Sequence, residues 1–289
     1  MIPSYEAYAC SSFLMFLDNR LCSSSGFYNV STVAYPMSQT VAGFSVYTFP
    51  FSQVIGDRSI SGATVFSGVY VNNSFITPGT SGFSGINFER GQLMFDKNYA
   101  PNIQTISGNY AIKEINVTLP NVSDATILFE SKLSLRDYAG IKPTGIANNI
   151  LTYPVVFVES SSAPSNTPWN LGGLDQTRSV FNLYFFGDSL YQKTNFISLC
   201  KDMAYKYVPL ITDASEFPFN SLGYYKNGVP YNYSTLTAGR VAAGRGALIE
   251  SVEIIEFGKR GLMAEVQSMT PDAFFILATV SCWTSRVTR

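Results

Sequence analysis

Residues 84–97 read SGINFERGQLMFDK. Ile86 and Phe88 alternate into this stretch, Glu89, Arg90 and Gly91 interrupt it, and Leu93 and Phe95 alternate out of it. Period-two apolar spacing puts one face of a strand on a core, and a glycine supplies the positive φ that a tight loop demands. The stretch therefore predicts a β-hairpin. Nothing in it performs chemistry, so any function has to come from its context.

Working outward, the pattern stays β from residue 30 to 119. Val65, Ser67, Val69 and Val71 alternate before Asn72-Asn73, which offer a turn, and Thr77-Pro78-Gly79 offers another. Beyond the hairpin, TISGNYAIKEINVTLP reads as one strand, with Ala111, Lys113, Ile115, Val117 and Leu119 on one face and Tyr110, Ile112 and Glu114 on the other. Upstream, Ser4 is placed to cap a helix whose first turn carries Glu6. Tyr5, Ala9, Phe13, Phe16, Leu17 and Leu21 follow helical spacing until Ser23-Ser24-Ser25-Gly26 stops it. Such a helix packs on its own domain or docks on a neighbouring subunit.

In the second half, YPVVFVES (153–160) and SVFNLYFFG (179–187) are strand-like, with residues 160–168 as a surface loop or an arm between them. Asp188 or Ser189 caps a helix to about Lys206, its stripe formed by Leu190, Thr194, Ile197, Cys200, Ala204 and Tyr207, and Pro209 stops its continuation. Residues 125–134 fit helix or strand, 138–149 a loop, 216–246 a glycine-punctuated aromatic loop region, and 247–257 and 273–283 closing strands. The expected fold is mainly β (α+β), an antiparallel β-sandwich or meander core with an N-terminal helix and one long helix in the second half. Two domains are expected: 1–150, the N-terminal helix plus a hairpin-rich β domain, and 151–289, an α+β domain with long loops.

The 289-residue chain is long enough for a sizeable core. Charged residues are 13% of it, about half the roughly 25% usual in soluble domains, while aromatics reach 15%. A surface so poor in charge suits burial against partners, or a secreted β-sandwich. A net charge of −1 provides no global basic field for nucleic acid or an acidic membrane.

Cys10, Cys22, Cys200 and Cys282 are scattered without a Cys-x-x-Cys pair, which argues for free, buried thiols in a reducing cytoplasm rather than a zinc site or a disulfide framework. The opening residues show neither a basic leader nor a small-residue cleavage site, and the apolar run 13–17 is too short to span a bilayer. The sequons at Asn29, Asn72, Asn116, Asn121 and Asn232 are then by-products of Asn, Ser and Thr richness.

The chain has no histidine. That removes Ser-His-Asp and Cys-His nucleophiles, histidine metal ligands and the usual neutral-pH proton shuttle. A carboxylate pair for glycoside cleavage survives in principle, with Asp57, Glu89, Asp175 and Glu216 as candidates. YAIKE (110–114) imitates the strand lysine of protein kinases, but no glycine-rich loop precedes it and no Asp-Phe-Gly follows. Lys113 is expected at the solvent end of a strand. AGRGA, around Gly244 and Gly246, lacks the lysine-serine pair of a phosphate loop.

Two surfaces remain. Arg240 and Arg245, with Lys259, Arg260, Arg286 and Arg289, make the C-terminal part locally basic, a solvated surface or one facing DNA in a channel. Tyr224, Tyr225, Tyr231 and Tyr233, interleaved with Asn227, Gly228, Pro230 and Asn232, suit an adaptable contact surface for protein or sugar. No catalytic residue, metal ligand or cofactor is expected.

The run GVYVNNSFITPGTSGFSGINFERGQLMFDKNYAPNIQTISGNYAIKEINV (68–117) resembles a region of virion structural proteins of tailed bacteriophages. There a short strand, a loop, an I-x-F-x-x-G-x-L-x-F hairpin and a closing G-x-Y-x-x-K strand recur in neck, connector and tail components. SQVIGDRSISGATVFSGV (52–69) and PWNLGGLDQTRSVFNLYFFGDSL (168–190) are consistent with that resemblance. It implies a non-enzymatic subunit of the neck, head-to-tail connector or tail, forming a homo-oligomeric ring within a virion assembled in the host cytoplasm. Its partners are then copies of itself and other virion proteins, with non-specific contact to DNA in a lumen and no membrane. The competing expectation is an adhesin or carbohydrate-binding β-sandwich module that uses the tyrosines.

Overall fold

The structure, a computed structural model, describes residues 5–36, 44–51, 53–80, 82–88, 91–99, 103–118, 154–161, 165–168, 174–187, 189–212, 215–218, 230–256 and 274–287. Strand outweighs helix, and nearly all strand pairs are antiparallel, so the mainly-β expectation holds. The chain divides into two units, but not at residue 150. One comprises 1–24, 115–216 and 234–289, and the other 25–114 and 217–233. The N-terminal helix thus belongs with the second half of the sequence. Residues 125–134, expected as helix or strand, and 138–149, expected as a loop, lie outside the described residues.

The unit built on residues 25–114 holds two four-stranded antiparallel sheets. In one, β1 (Phe27–Val33), β8 (Ile106–Lys113), β4 (Val69–Val71) and β5 (Ser74–Ile76) lie in that order. In the other the order is β2 (Tyr35–Pro36), β3 (Phe44–Thr48), β7 (Gln92–Asp96) and β6 (Phe83–Asn87).

The hairpin expected within residues 84–97 is β6–β7, with Asn87 opposite Gln92 and Gly91 at φ +58°. Ile86, Phe88, Leu93 and Phe95 are all buried, as their alternation requires. Phe83 and Phe95 stack with ring centroids 4.8 Å apart. The turn between β4 and β5 is Asn72-Asn73, with φ +47° and +69°. Two consecutive positive-φ residues define the primed two-residue turn whose twist matches the strands it joins, and asparagine tolerates that conformation best after glycine. Strand β4 begins only at Val69, so Val65 and Ser67 precede it as irregular chain.

Phe49, Phe66 and Tyr110 form the aromatic centre of this unit, with centroids 4.6 Å apart for Phe49–Tyr110 and 5.3 Å for Phe49–Phe66. A Cβ on Gly108 would sit 2.7 Å from the Phe66 ring and 2.8 Å from Phe49. This explains G-x-Y in physical terms: the glycine clears space for rings that pack on the tyrosine two residues along the same face.

The expected single strand through residues 111–119 is broken. Strand β8 ends at Lys113, and β9 (Asn116–Thr118) starts a different sheet in the other unit. Lys113 is buried rather than at a solvent end, because β8 is an inner strand flanked by β1 on one side and by β4, Gln53 and Thr64 on the other.

The second unit is organised by β12 (Leu174–Gly187) and β15 (Phe274–Val287), paired antiparallel over their full length. The sheet runs β13 (Tyr207–Pro209), β14 (Gly246–Glu256), β15, β12, β10 (Val155–Ser160), β9, with β11 (Ser165–Pro168) also on β12. The β9–β10 pair is parallel. The expected arm at residues 160–168 is in its last four residues this strand β11, held by the long neighbour it lies against.

Two helices cover one sheet face. On α1 (Tyr5–Ser25), Phe13 stacks on Phe181 of β12 at 4.6 Å, and Ser179 donates its hydroxyl to Glu6 at 3.1 Å. Every residue from 12 to 18 is buried, so α1 is a core helix rather than an amphipathic surface one. Its buried Ser12 hydroxyl accepts the Ile211 N–H at 2.9 Å.

The second helix, α2 (Leu190–Met203), is capped by Ser189, which accepts from the Gln192 N–H. It buries Phe196, Leu199, Cys200 and Met203, with Phe196 stacked on Phe185 at 4.7 Å. The expected stripe is therefore misplaced: Leu190 is exposed, and Tyr207 lies in β13. Termination comes before Pro209, at the C-cap Ala204, whose ψ of 137° leaves the helical path; Tyr205 follows at φ +61° with its N–H taken by the Ile249 carbonyl of β14.

Candidate interaction surface

Of the four carboxylate candidates, Asp57, Asp175 and Glu216 lie among the described residues. Asp57 is a structural carboxylate: buried, it accepts the Ser59 N–H at 2.8 Å, the Ser59 hydroxyl at 2.9 Å and the Tyr233 N–H at 3.0 Å. Glu216 pairs with Arg240, and Asp175 sits on β12 opposite Arg286. Glu89 lies outside the described residues. Among the described residues no group of three Cys, Asp or Glu side chains is placed to hold a metal ion.

All four cysteines are free, with Cys22, Cys200 and Cys282 buried. Burial pushes the Cys282 thiol up to about 12, and burial together with the Glu6 and Glu159 carboxylates pushes Cys10 up to about 12. These are poor nucleophiles at neutral pH, because the thiolate is the reactive form.

Of the basic candidates, Arg240 and Arg245 are described with their side chains. Arg240 is spent internally, its guanidinium donating to the Leu236 and Leu210 carbonyls and to Glu216. Arg245 is exposed on the same turn. Lys259, Arg260 and Arg289 lie outside the described residues, and Arg286 is in β15.

Of the tyrosine cluster, two residues are described. Tyr231 and Tyr233 are buried, Tyr231 bridging Asp57 through the backbone and exchanging bonds with Gly56 and Arg58. Tyr224 and Tyr225 lie outside the described residues. The two that are described are core residues, since the Tyr-Asn-Tyr segment is pinned by Asp57. No sequence pattern announced that partner.

The large exposed side chains lie elsewhere. In the unit of residues 25–114 they are Tyr28, Val33, Tyr35, Phe51, Tyr70 and Phe75. Val33 pairs across to Ser107, Ser107 to Tyr70, and Tyr70 to Phe75, so one row crosses all four strands of the first sheet. The Tyr70 and Phe75 rings are 5.2 Å apart. In the other unit Leu190, Tyr191, Tyr205, Tyr207, Val241 and Ile255 are exposed.

Strand β1 carries no pattern that marks a role, yet among the described residues it forms a sheet edge and most of its side chains are open to solvent. Its signal in the sequence is a negative one: no charged residue occurs from 21 to 56. The Ala34 N–H bonds the Ile106 carbonyl and the Glu114 N–H bonds the Gly26 carbonyl. By the alternation of an antiparallel ladder, the even-numbered residues of β1 face β8. The peptide groups of Phe27, Asn29, Ser31 and Val33 point to the free edge.

No protein-family model matches the chain, and no curated protein matches it either.

Proposed function

We propose that the chain is a structural assembly subunit rather than an enzyme: a non-enzymatic component of a tailed-phage particle, forming a homo-oligomeric ring in the neck, head-to-tail joining region or tail. One observation carries this reading. Both units expose large aromatic and aliphatic side chains on a chain with only 13% charged residues, a surface suited to burial against neighbours rather than to permanent contact with water.

The phage placement comes from the resemblance of residues 68–117. Their hairpin, Asn-Asn turn and Gly108–Tyr110 packing account for that segment as framework, with exposed Tyr70 and Phe75 on it as contact surface. Contact with DNA in a lumen, in this reading, falls to Arg245 rather than Arg240. The carbohydrate-binding alternative loses two of its four tyrosines to the core.

The test is the particle formed by the purified chain, imaged by negative-stain electron microscopy with its mass measured by light scattering. Closed rings support the proposal. A permanent monomer that also enters no phage particle overturns it.

A further inference from the structure

We propose that the free edge of β1 is a self-pairing surface, on which β1 of a second copy of this chain adds antiparallel about a two-fold axis through Val30. The inference rests on the reading that the chain assembles with itself, and it names where.

Edge strands are ordinarily protected by shortness, proline, charge or a bulge. The other sheet edges among the described residues obey this rule. Strand β5 has three residues, β2 has two and includes Pro36, β13 has three and ends in Pro209, β9 has three, β11 ends in Pro168, and β6 carries a register shift between Phe83 and Gly85. Strand β1 has seven residues, FYNVSTV, with no charge, no proline and an unbroken register against β8. Its outer side chains Tyr28, Asn29, Ser31 and Val33 are exposed.

The strand is also complementary to itself. Outward-pointing peptide groups stand at its first, third, fifth and seventh residues. A two-fold through Val30 sets Phe27 against Val33 of the second copy and Asn29 against its Ser31. Every outward N–H then meets a carbonyl over the full length of the strand. The side-chain pairs are aromatic with β-branched (Phe27 with Val33, Tyr28 with Thr32), polar with polar, and Val30 with Val30. No like charges oppose. The exposed row Phe75, Tyr70, Ser107, Val33 would continue onto Phe27 of the second copy, giving apolar contact as well as backbone bonds. Such a pair is isologous and closes by itself, and within a ring-forming protein it joins two rings back to back.

A two-fold at Val30 places the two Val30 Cα atoms as a non-hydrogen-bonded pair, about 4.5 Å apart, within the range a disulfide spans. The full-length chain with Val30→Cys should form a covalent dimer on mild oxidation. Tyr28→Cys and Thr32→Cys, each alone, should not, while the two combined should. Separately, Ser31→Pro deletes an outward N–H without touching the β8 ladder. It should abolish the two-fold contact while the circular-dichroism spectrum and melting temperature stay as in the unsubstituted chain.

Oligomers that persist without a Val30→Cys cross-link overturn the edge assignment and leave the assembly reading standing. A monomer at every concentration overturns the edge assignment, and overturns the assembly reading as well when the chain also enters no phage particle. A mixed cross-link to a different protein also overturns the proposal, since it identifies a foreign strand as the occupant.

Discussion

Tyr233 donates its backbone N–H to Oδ1 of Asp57 at 3.0 Å, a contact spanning 176 residues of sequence. The same carboxylate takes the N–H and hydroxyl of Ser59, so one buried acid fastens residues 231–233 to the loop at 57–59. Asp57→Ala leaves buried donors without an acceptor and should lower unfolding free energy by about 3 kcal/mol in urea titration. Asp57→Asn, which keeps one accepting oxygen, should cost less. An Asp57→Ala variant as stable as the parent would show that the carboxylate is not the fastener.

The Asn72-Asn73 turn gives a second expectation. Asn72 accepts the Gln104 and Thr105 N–H groups at 2.9 and 3.1 Å, so Asn72→Ala should cost about 2 kcal/mol through lost bonds and left-handed strain. Asn73→Gly keeps the positive φ and should be neutral or slightly stabilising, whereas Asn73→Val should cost about 1–2 kcal/mol. Thermal melts of the three variants rank them.

Gly108→Ala should cost about 1–3 kcal/mol, because the added methyl enters the space of Phe49 and Phe66, and overpacking forces rings off their rotamers. A variant as stable as the parent would mean that the rings are free to yield.

These cases show how far the residues were legible. Alternation at Ile86, Phe88, Leu93 and Phe95, the Asn-Asn turn and a cap at Asp188 or Ser189 are local signals, and each appears in the fold, the cap at Ser189. The break after Lys113 was not legible, since Ile115 and Val117 continue the same alternation on paper, while Ile115 lies in the bend after β8 and Val117 in a strand of another sheet. Nor was the burial of Tyr231 and Tyr233, which depends on Asp57, remote in sequence. The α2 stripe is misplaced for a related reason: Phe196, Leu199 and Met203 fit helical spacing as well as Leu190, Thr194 and Ile197 do, and only the sheet beneath decides which face is covered. The β1 edge was visible only as an absence of charge.

The thiols yield a pH expectation. In the folded chain the Cys282 thiol stands at about 12 against an ordinary value of 9.0, its charged form disfavoured by burial. Stability from the neutral buried thiol is therefore complete below pH 9 and lost progressively as pH rises toward 12, where the unfolded chain releases the proton first. Urea midpoints measured between pH 8 and 11 should fall, and Cys282→Ala should make the fall shallower. At pH 8 an aryl-disulfide reagent should label Cys200 and Cys282 only after denaturation. Rapid labelling of the folded chain would contradict their burial.

Arg240 and Arg245 should part company. Arg240→Ala removes bonds to two carbonyls and Glu216 and should cost about 1–3 kcal/mol, while Arg245→Ala, at an exposed position, should stay within about 0.5 kcal/mol of the parent. Chemical unfolding of both variants distinguishes a structural arginine from one available to a ligand.

The most direct test of the assembly role is the molar mass of the purified full-length chain across a concentration series, measured by light scattering and paired with negative-stain images. The expected result is a mass that is a discrete multiple of the 289-residue chain, with closed symmetric particles in the images. A mass of one chain at every concentration, unchanged when phage structural proteins are added, would contradict it.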